Sequence, residues 1–409
     1  MTNPADGWRD SVSYLNPVPA AGPESEDQPT PRELAEQQAR IDSYLSREEF
    51  PPGGLPESVA AYYAEEPVPL QAQPASPPHA ADAAPGTEEA DFSYMYQPDG
   101  MTAYRKFDPA EQGWRGLLNR SLRCKLTPGP SERTRRAALG MVRSSFPAAR
   151  TICVANVKGG SGKTPTALIL AELLATLRRE SIVAADLNEL RGTLGVRAGV
   201  QQPATTVMDL LQYQEWLSRP GSRVGDLAGF MRRQESGALI LASSENAGEM
   251  RALTGEHCEA VRDLLVTRYS TVVIDTGNNE AAAPWQFATR VADVLVVPMR
   301  ASADHLWVAG RMLDGLHKRH ETRHLPPAAI AVITDQDGAR LDRSAEEWLT
   351  KRLGAVVYVP PDPEIAAGPI RADRLSTASQ EAWTLVAAAV AEVCARPSVH
   401  DYRPTHTPS

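Results

Sequence analysis

The chain has 409 residues, 42% hydrophobic and 23% charged, with 34 prolines and a formal net charge of -9; that length suits one large α/β domain with extra segments, or two ordinary domains. Cys124, Cys153, Cys258 and Cys394 stand far apart with no CxxC pair, which argues against a zinc site or a disulfide framework and fits a reducing cytoplasm. No apolar run approaches the roughly 20 residues that a membrane-spanning helix needs, and the N-terminus lacks a basic-then-apolar signal pattern, so neither an integral nor a secreted protein is expected.

Charge is unevenly placed along the chain. Residues 1–103 are acidic and rich in Pro and Ala, as in Pro74-Ala75-Ser76-Pro77-Pro78; so little apolar surface cannot offset the entropy of ordering the backbone, and the segment reads as a disordered tail. Within it, Thr30 as N-cap, Pro31 at the first helical position and Glu33 completing a capping box predict a short helix over 30–50. Residues 104–149 turn basic, with Arg115, Arg120, Arg123, Arg133, Arg135 and Arg136 interleaved with Trp114, Leu117, Leu118 and Leu122. This amphipathic neck, split at Pro128-Gly129-Pro130, reads as a helical segment packing on the next domain or pairing with the acidic tail, with contact to DNA or lipid as the alternative.

From residue 150 to 396 strand and helix patterns alternate, which predicts an α/β fold with a mostly parallel sheet and helices on both faces. Strands are expected at 151–157, 181–186, 238–241, 271–275, 294–298, 329–334 and 356–359. Helices are expected at 165–179, 206–216, 224–233, 255–268, 282–291, 304–320, 344–353 and 376–395. Residues 397–409 read as a flexible C-terminal tail.

The strongest chemical signal follows the first strand. The apolar run Ile152-Cys153-Val154-Ala155 enters Lys158-Gly159-Gly160-Ser161-Gly162-Lys163-Thr164 and leaves into an apolar helical stretch. Such a strand–loop–helix lets backbone NH groups converge on phosphates while the helix N-terminus adds its dipole. Lys163 is placed to neutralise β- and γ-phosphate charge and Thr164 to hold Mg²⁺ through its hydroxyl. A dinucleotide fingerprint beginning at Gly160 fails, because its third glycine would be Pro165.

The strict GxxxxGK[ST] spacing also fails, since its first glycine falls at Val157, and a lysine instead precedes the glycine pair. Over Lys158 to Thr164 the chain resembles the deviant Walker A motif, KGGxGK[ST], of the ParA/MinD family of P-loop ATPases. The resemblance implies a P-loop NTPase fold, ATP and Mg²⁺ as cofactors, and an ATP-dependent homodimer in which Lys158 reaches the partner's nucleotide.

Other segments are similar to that family's in order and context. The segment 184–195, with Asp186-Leu187-Asn188 at the end of the second strand, looks like switch I, with Asp186 toward a Mg²⁺-bound water. Asn188 stands where the family has a water-positioning acid; an amide can orient a water but cannot accept its proton, and the neighbouring Glu189 could substitute. Val272-Val273-Ile274-Asp275-Thr276-Gly277-Asn278-Asn279 resembles Walker B and switch II, with Asp275 toward the metal and Gly277 letting the loop move. Pro360 and Asp362 follow the last strand, where the family places the base; Thr334, Asp335 and Gln336 end the strand before it. Arg311, Lys318, Arg319, Arg323, Arg340, Arg343, Lys351, Arg352, Arg371 and Arg374 form either solvated helix faces or a DNA-facing strip. The histidines show no ligand spacing, so no metal beyond Mg²⁺ is expected.

The resemblance implies slow ATP hydrolysis in plasmid or chromosome partitioning or in cellular positioning, with a ParB-like adaptor, non-specific DNA and a cytoplasmic, nucleoid-associated location. An acidic, proline-rich tail ahead of such a domain also resembles ATPases that accompany type VII secretion systems, with secretion components as partners. A third reading is a nucleotide-gated scaffold with little turnover. The C-terminal residues 396–404 offer no amphipathic helix for membrane positioning.

Overall fold

The computed structural model describes residues 109–401 apart from 112, 123–124, 190–191, 203, 245–249, 251–252, 335–338 and 367. The acidic segment 1–103, its expected helix over 30–50, and Asp335 and Gln336 therefore lie outside the described residues. The described residues fall into two compact units, 109–136 and 137–401.

The smaller unit holds the helix Gly113–Leu122 and the first part of the helix Pro130–Val142, on either side of the Pro-Gly-Pro break. Asn119 ties it together. Its amide nitrogen donates to the carbonyls of Ala110 and Leu126 at 2.8 and 2.9 Å, and its carbonyl oxygen accepts the Leu126 amide at 2.8 Å. Glu132, in the first turn of the second helix, accepts from the Glu111 amide at 2.8 Å and from Arg136 at 2.7 Å, an arrangement favoured at a helix N-terminus.

In the larger unit an eight-stranded sheet runs in the order β3-β4-β2-β5-β1-β6-β7-β8. The strands are β1 (Arg150–Val154), β2 (Val183–Leu187), β3 (Arg232–Arg233), β4 (Leu239–Leu241), β5 (Thr271–Thr276), β6 (Val294–Arg300), β7 (Ile330–Thr334) and β8 (Ala355–Val359). All pairs are parallel except β3 with β4. Alternate side chains of β1 enter opposite layers: Cys153 joins the core containing Trp285, Phe287, Leu313 and Leu265, whereas Ile152 and Val154 join that containing Leu170, Leu174, Trp383 and Val390. A sheet covered by helices on both faces buries both sides of every central strand, which is why β1, β2 and β5 read as continuous apolar runs.

Four local expectations need correction. Residues 224–233 were expected as one helix, but the helix ends at Ala228 and Arg232–Arg233 form β3. Gly237, at φ +86°, allows a tight turn in which the Gln234 amide donates to Ala238, and antiparallel pairing with β4 wins over helical propensity. The helix expected over 206–216 breaks at Tyr213 into Val207–Gln212 and Gln214–Ser218. The first strand, expected to reach Val157, stops at Val154, because the loop begins to turn at Asn156. Finally, the tail expected from 397 is tied down as far as Asp401, whose carboxylate pairs with the buried Arg150 guanidinium at 2.6 and 2.9 Å.

Candidate functional site

β2, β5 and β1 are neighbours, and their C-terminal ends carry Asp186, Asp275 and the glycine loop. Register sets them side by side: Val154 pairs with Asp275, and Asp275 pairs with Asp186. In open α/β sheets ligands bind at the carboxyl ends of the strands, so this edge is the natural place for a site.

The loop is pinned at its entrance by Asn156, which is fully buried. Its side chain accepts the Lys158 amide at 2.9 Å and donates to the Pro298 carbonyl on β6 at 2.8 Å. Gly160 and Gly162 adopt φ +69° and +92°, a left-handed backbone that costs an L-residue roughly 1–2 kcal/mol. Gly162 is the N-cap of the helix Lys163–Arg178. The first amide here to close a backbone turn is that of Thr166, onto Gly162, and the first amides of a helix have no partner within it. The Ser161 hydroxyl, buried at the same place, has no hydrogen-bond partner among the described residues. Arg300, at the end of β6, donates from Nε to the Gly160 carbonyl at 3.1 Å.

Both lysines of the loop are engaged within the chain. Lys163 is buried, and its Nζ contacts the Asn278 side-chain oxygen and the Lys158 carbonyl at 3.5 Å. Burial pushes its ammonium pKa down, against the opposing charges of Asp275 and Glu189. Lys158 Nζ lies 2.9 Å from Asp304, just beyond β6. Hydrogen bonds from Ser302 and then Lys158 hold the Asp304 carboxyl well below its usual range.

The two strand-end acids are both buried but differently satisfied. Asp186 accepts from the amides of Asn188 and Leu194 and from the Ser243 hydroxyl, each at 3.1 Å. Gly192 passes directly over it; a Cβ there would meet Asp186 Oδ2 at 1.9 Å. Asp275 accepts the Thr164 hydroxyl at 2.6 Å through Oδ2, while its buried Oδ1 has no partner among the described residues. Burial raises the pKa of both, and for Asp275 the proximity of Asp186 raises it further. A buried carboxylate oxygen without a donor, beside a hydroxyl and a second acid, is a poor resting arrangement for a protein alone and a good one for a small oxygen-seeking cation. The residues therefore fit Mg²⁺: Thr164 and Asp275 would hold it and Asp186 would stand behind, the ion supplying positive charge to phosphate oxygens.

Pro360 and Asp362 sit beyond β8, three strands along from β1. Both Asp362 oxygens accept backbone amides, from Glu364 at 3.0 Å and Ser376 at 2.9 Å. Burial alone would raise its pKa, but hydrogen bonds from Ser379 and Ser376 outweigh that and hold it low. In the described chain Asp362 thus shapes the closing turn.

Asn156, Arg300 and Ser243 lie outside the motifs, yet each bonds directly to a member of the site. Asn278 and Thr193 belong to the switch-like segments without a role assigned from sequence; Asn278 contacts Lys163, and the Thr193 hydroxyl lies 3.5 Å from that of Thr164. Their only sequence signal is position: each lies within a few residues of a strand's C-terminal end.

The fold is a mostly parallel α/β sheet whose first strand runs through a glycine loop into a helix. No family model matches the chain. Among curated proteins it is 26% identical over 264 residues to the ESX-1 secretion-associated protein EspI of two Mycobacterium tuberculosis strains, the match covering 63% of this chain and 39% of each relative; the match thus spans well under half the length of those relatives. Similar solved structures include a ParA family ATPase from Chlorobium tepidum, at 14% identity and TM-score 0.47, over 61% of this chain and 95% of that one. The Pyrococcus furiosus cell division ATPase MinD shows 20% identity and TM-score 0.47, over 59% and 98%. Among the described residues no helix is long and apolar enough to cross a membrane.

Proposed function

We propose that the chain binds Mg²⁺-ATP at the Lys158–Thr164 loop and hydrolyses it slowly, as a ParA/MinD-like ATPase. The observation that carries this is the convergence, at one sheet edge, of Lys163, the Thr164–Asp275 hydrogen bond and an orphaned Asp275 oxygen beneath a left-handed glycine turn. The catalytic set is Lys158, Lys163, Asp186 and Asn188 or its neighbour. Gly159, Gly160, Ser161, Gly162, Lys163 and Thr164 form the phosphate cradle, Thr164 and Asp275 hold the metal, and Pro360 and Asp362 frame the base end.

Phosphate binding would draw Lys163 away from Asn278, exchanging a neutral acceptor for a charged one and so gaining a stronger hydrogen bond. In an ATP-bound homodimer Lys158 would likewise leave Asp304 for the partner's phosphates. The Lys158–Asp304 pair is half-exposed, and such pairs contribute about 0–1 kcal/mol, so the exchange has little to overcome.

The EspI match favours action beside a secretion apparatus, as an ATPase regulating a type VII-like system with secretion components as partners. The partitioning reading, with a ParB-like adaptor and non-specific DNA, predicts ATP-dependent, salt-sensitive DNA binding. A gel shift with Mg²⁺-ATP at low salt decides between them: retardation favours partitioning, whereas its absence, with co-purification of secretion components, favours the secretion role.

A further inference from the structure

We propose that Glu189 positions the attacking water in this site, the task that Asn188 cannot complete. The inference rests on the ATP-hydrolysis reading above and deepens it. β2 and β5 are adjacent, and Leu187 pairs with Thr276, so Glu189 and Gly277, two and one residues beyond, leave the sheet side by side. The Glu189 carboxylate lies flat against Gly277: a Cβ at that glycine would stand 1.9 Å from Oε2 and 2.5 Å from Cδ. Only a glycine admits the carboxylate there. The next residue, Asn278, contacts the Lys163 ammonium, which itself feels the Glu189 charge.

Oε2 of Glu189 is buried and has no hydrogen-bond partner among the described residues. Leaving a buried acceptor unmade costs about 1–3 kcal/mol, and a water between this oxygen and the γ-phosphate would satisfy it. Asn188, by contrast, gives its backbone amide to Asp186, and its side chain has no group able to take a proton.

In the step proposed, Glu189 accepts a hydrogen bond from the water and aligns it. The water oxygen forms a bond to the γ-phosphorus. The bond from that phosphorus to the β–γ bridging oxygen breaks, its electron pair leaving with ADP. One water proton passes to the carboxylate and on to solvent. No other reactant is needed.

The test compares full-length wild type, Glu189→Gln and Glu189→Asp by phosphate release, by equilibrium binding of a fluorescent ATP analogue with Mg²⁺, and by thermal melting. Glu189→Gln should lose about 100-fold in kcat, the scale of a lost proton acceptor, while analogue affinity stays within about twofold and the melting temperature holds. Glu189→Asp should recover part of the loss, and it reports alone if the Gln variant does not fold. Turnover within about threefold of wild type overturns the proposal. So does an affinity loss equal to the loss in kcat, the mark of a mere ion partner for Lys163, or a wild type that binds the analogue but releases no phosphate. A wild type that fails to bind the analogue overturns the nucleotide reading itself, and this inference with it.

Discussion

Lys163 is buried with a neutral amide oxygen and a carbonyl as its nearest acceptors, so it has most to gain from a phosphate. Lys163→Ala should therefore weaken Mg²⁺-ATP binding by about 100-fold or more, the scale of losing a charge-assisted contact, while the melting temperature stays level or rises because a buried cation is removed. Calorimetric titration of the variant checks this, and undiminished affinity would contradict it. Asn188→Asp places an acid at the position the motif resemblance singles out. If Glu189 already aligns the water, steady-state phosphate release should change by no more than about twofold; a tenfold rise would return the role to position 188.

The helix behind the loop carries a further buried acid. Glu172 accepts the Ala372 amide at 2.6 Å, and burial pushes its pKa up to about 7 despite that bond. An acid whose folded pKa is raised favours folding fully below its ordinary value near 4.5, and that contribution is lost as pH climbs through about 7. Glu172→Gln keeps an acceptor for Ala372 without the charge. It should raise the melting temperature at pH 8, relieving a penalty on the order of 3 kcal/mol, and change little at pH 4. A lower melting temperature at pH 8 would show that the charge is needed there. At this scale the sequence was most readable where burial is two-sided: the apolar runs of β1, β2, β5 and β6 announced central strands, and Gly-Gly-Ser-Gly-Lys-Thr announced the loop. It misled at 224–233, where the Gly237 hairpin overrides local propensity. Asn156, Arg300 and Ser243 were hidden because each acts on a residue 57 to 142 positions away, and Asn278, present in the switch II run, could not be paired with Lys163, 115 positions away; such contacts exist only once the strand order is known.

Across the whole unit, the first strand and the chain's last described residues are locked together. Arg150, buried, donates to the Cys394 and Arg396 carbonyls and to Asp401. Its hydrogen bond holds the Asp401 pKa down to about 2, so the clasp contributes fully above the ordinary carboxylate range and is lost as pH falls through about 2. Asp401→Asn should cost about 1–3 kcal/mol at pH 7 by urea unfolding; no loss would mean Asp293, 3.8 Å from the same guanidinium, suffices alone. The proposed chemistry of the site requires that the loop after this strand receive a nucleotide. Equilibrium binding of labelled ATP to the full chain, with and without Mg²⁺ and with Lys163→Ala as control, tests that most directly. Saturable, Mg²⁺-dependent binding that the variant loses is the predicted result, and no binding by the wild type would contradict the account.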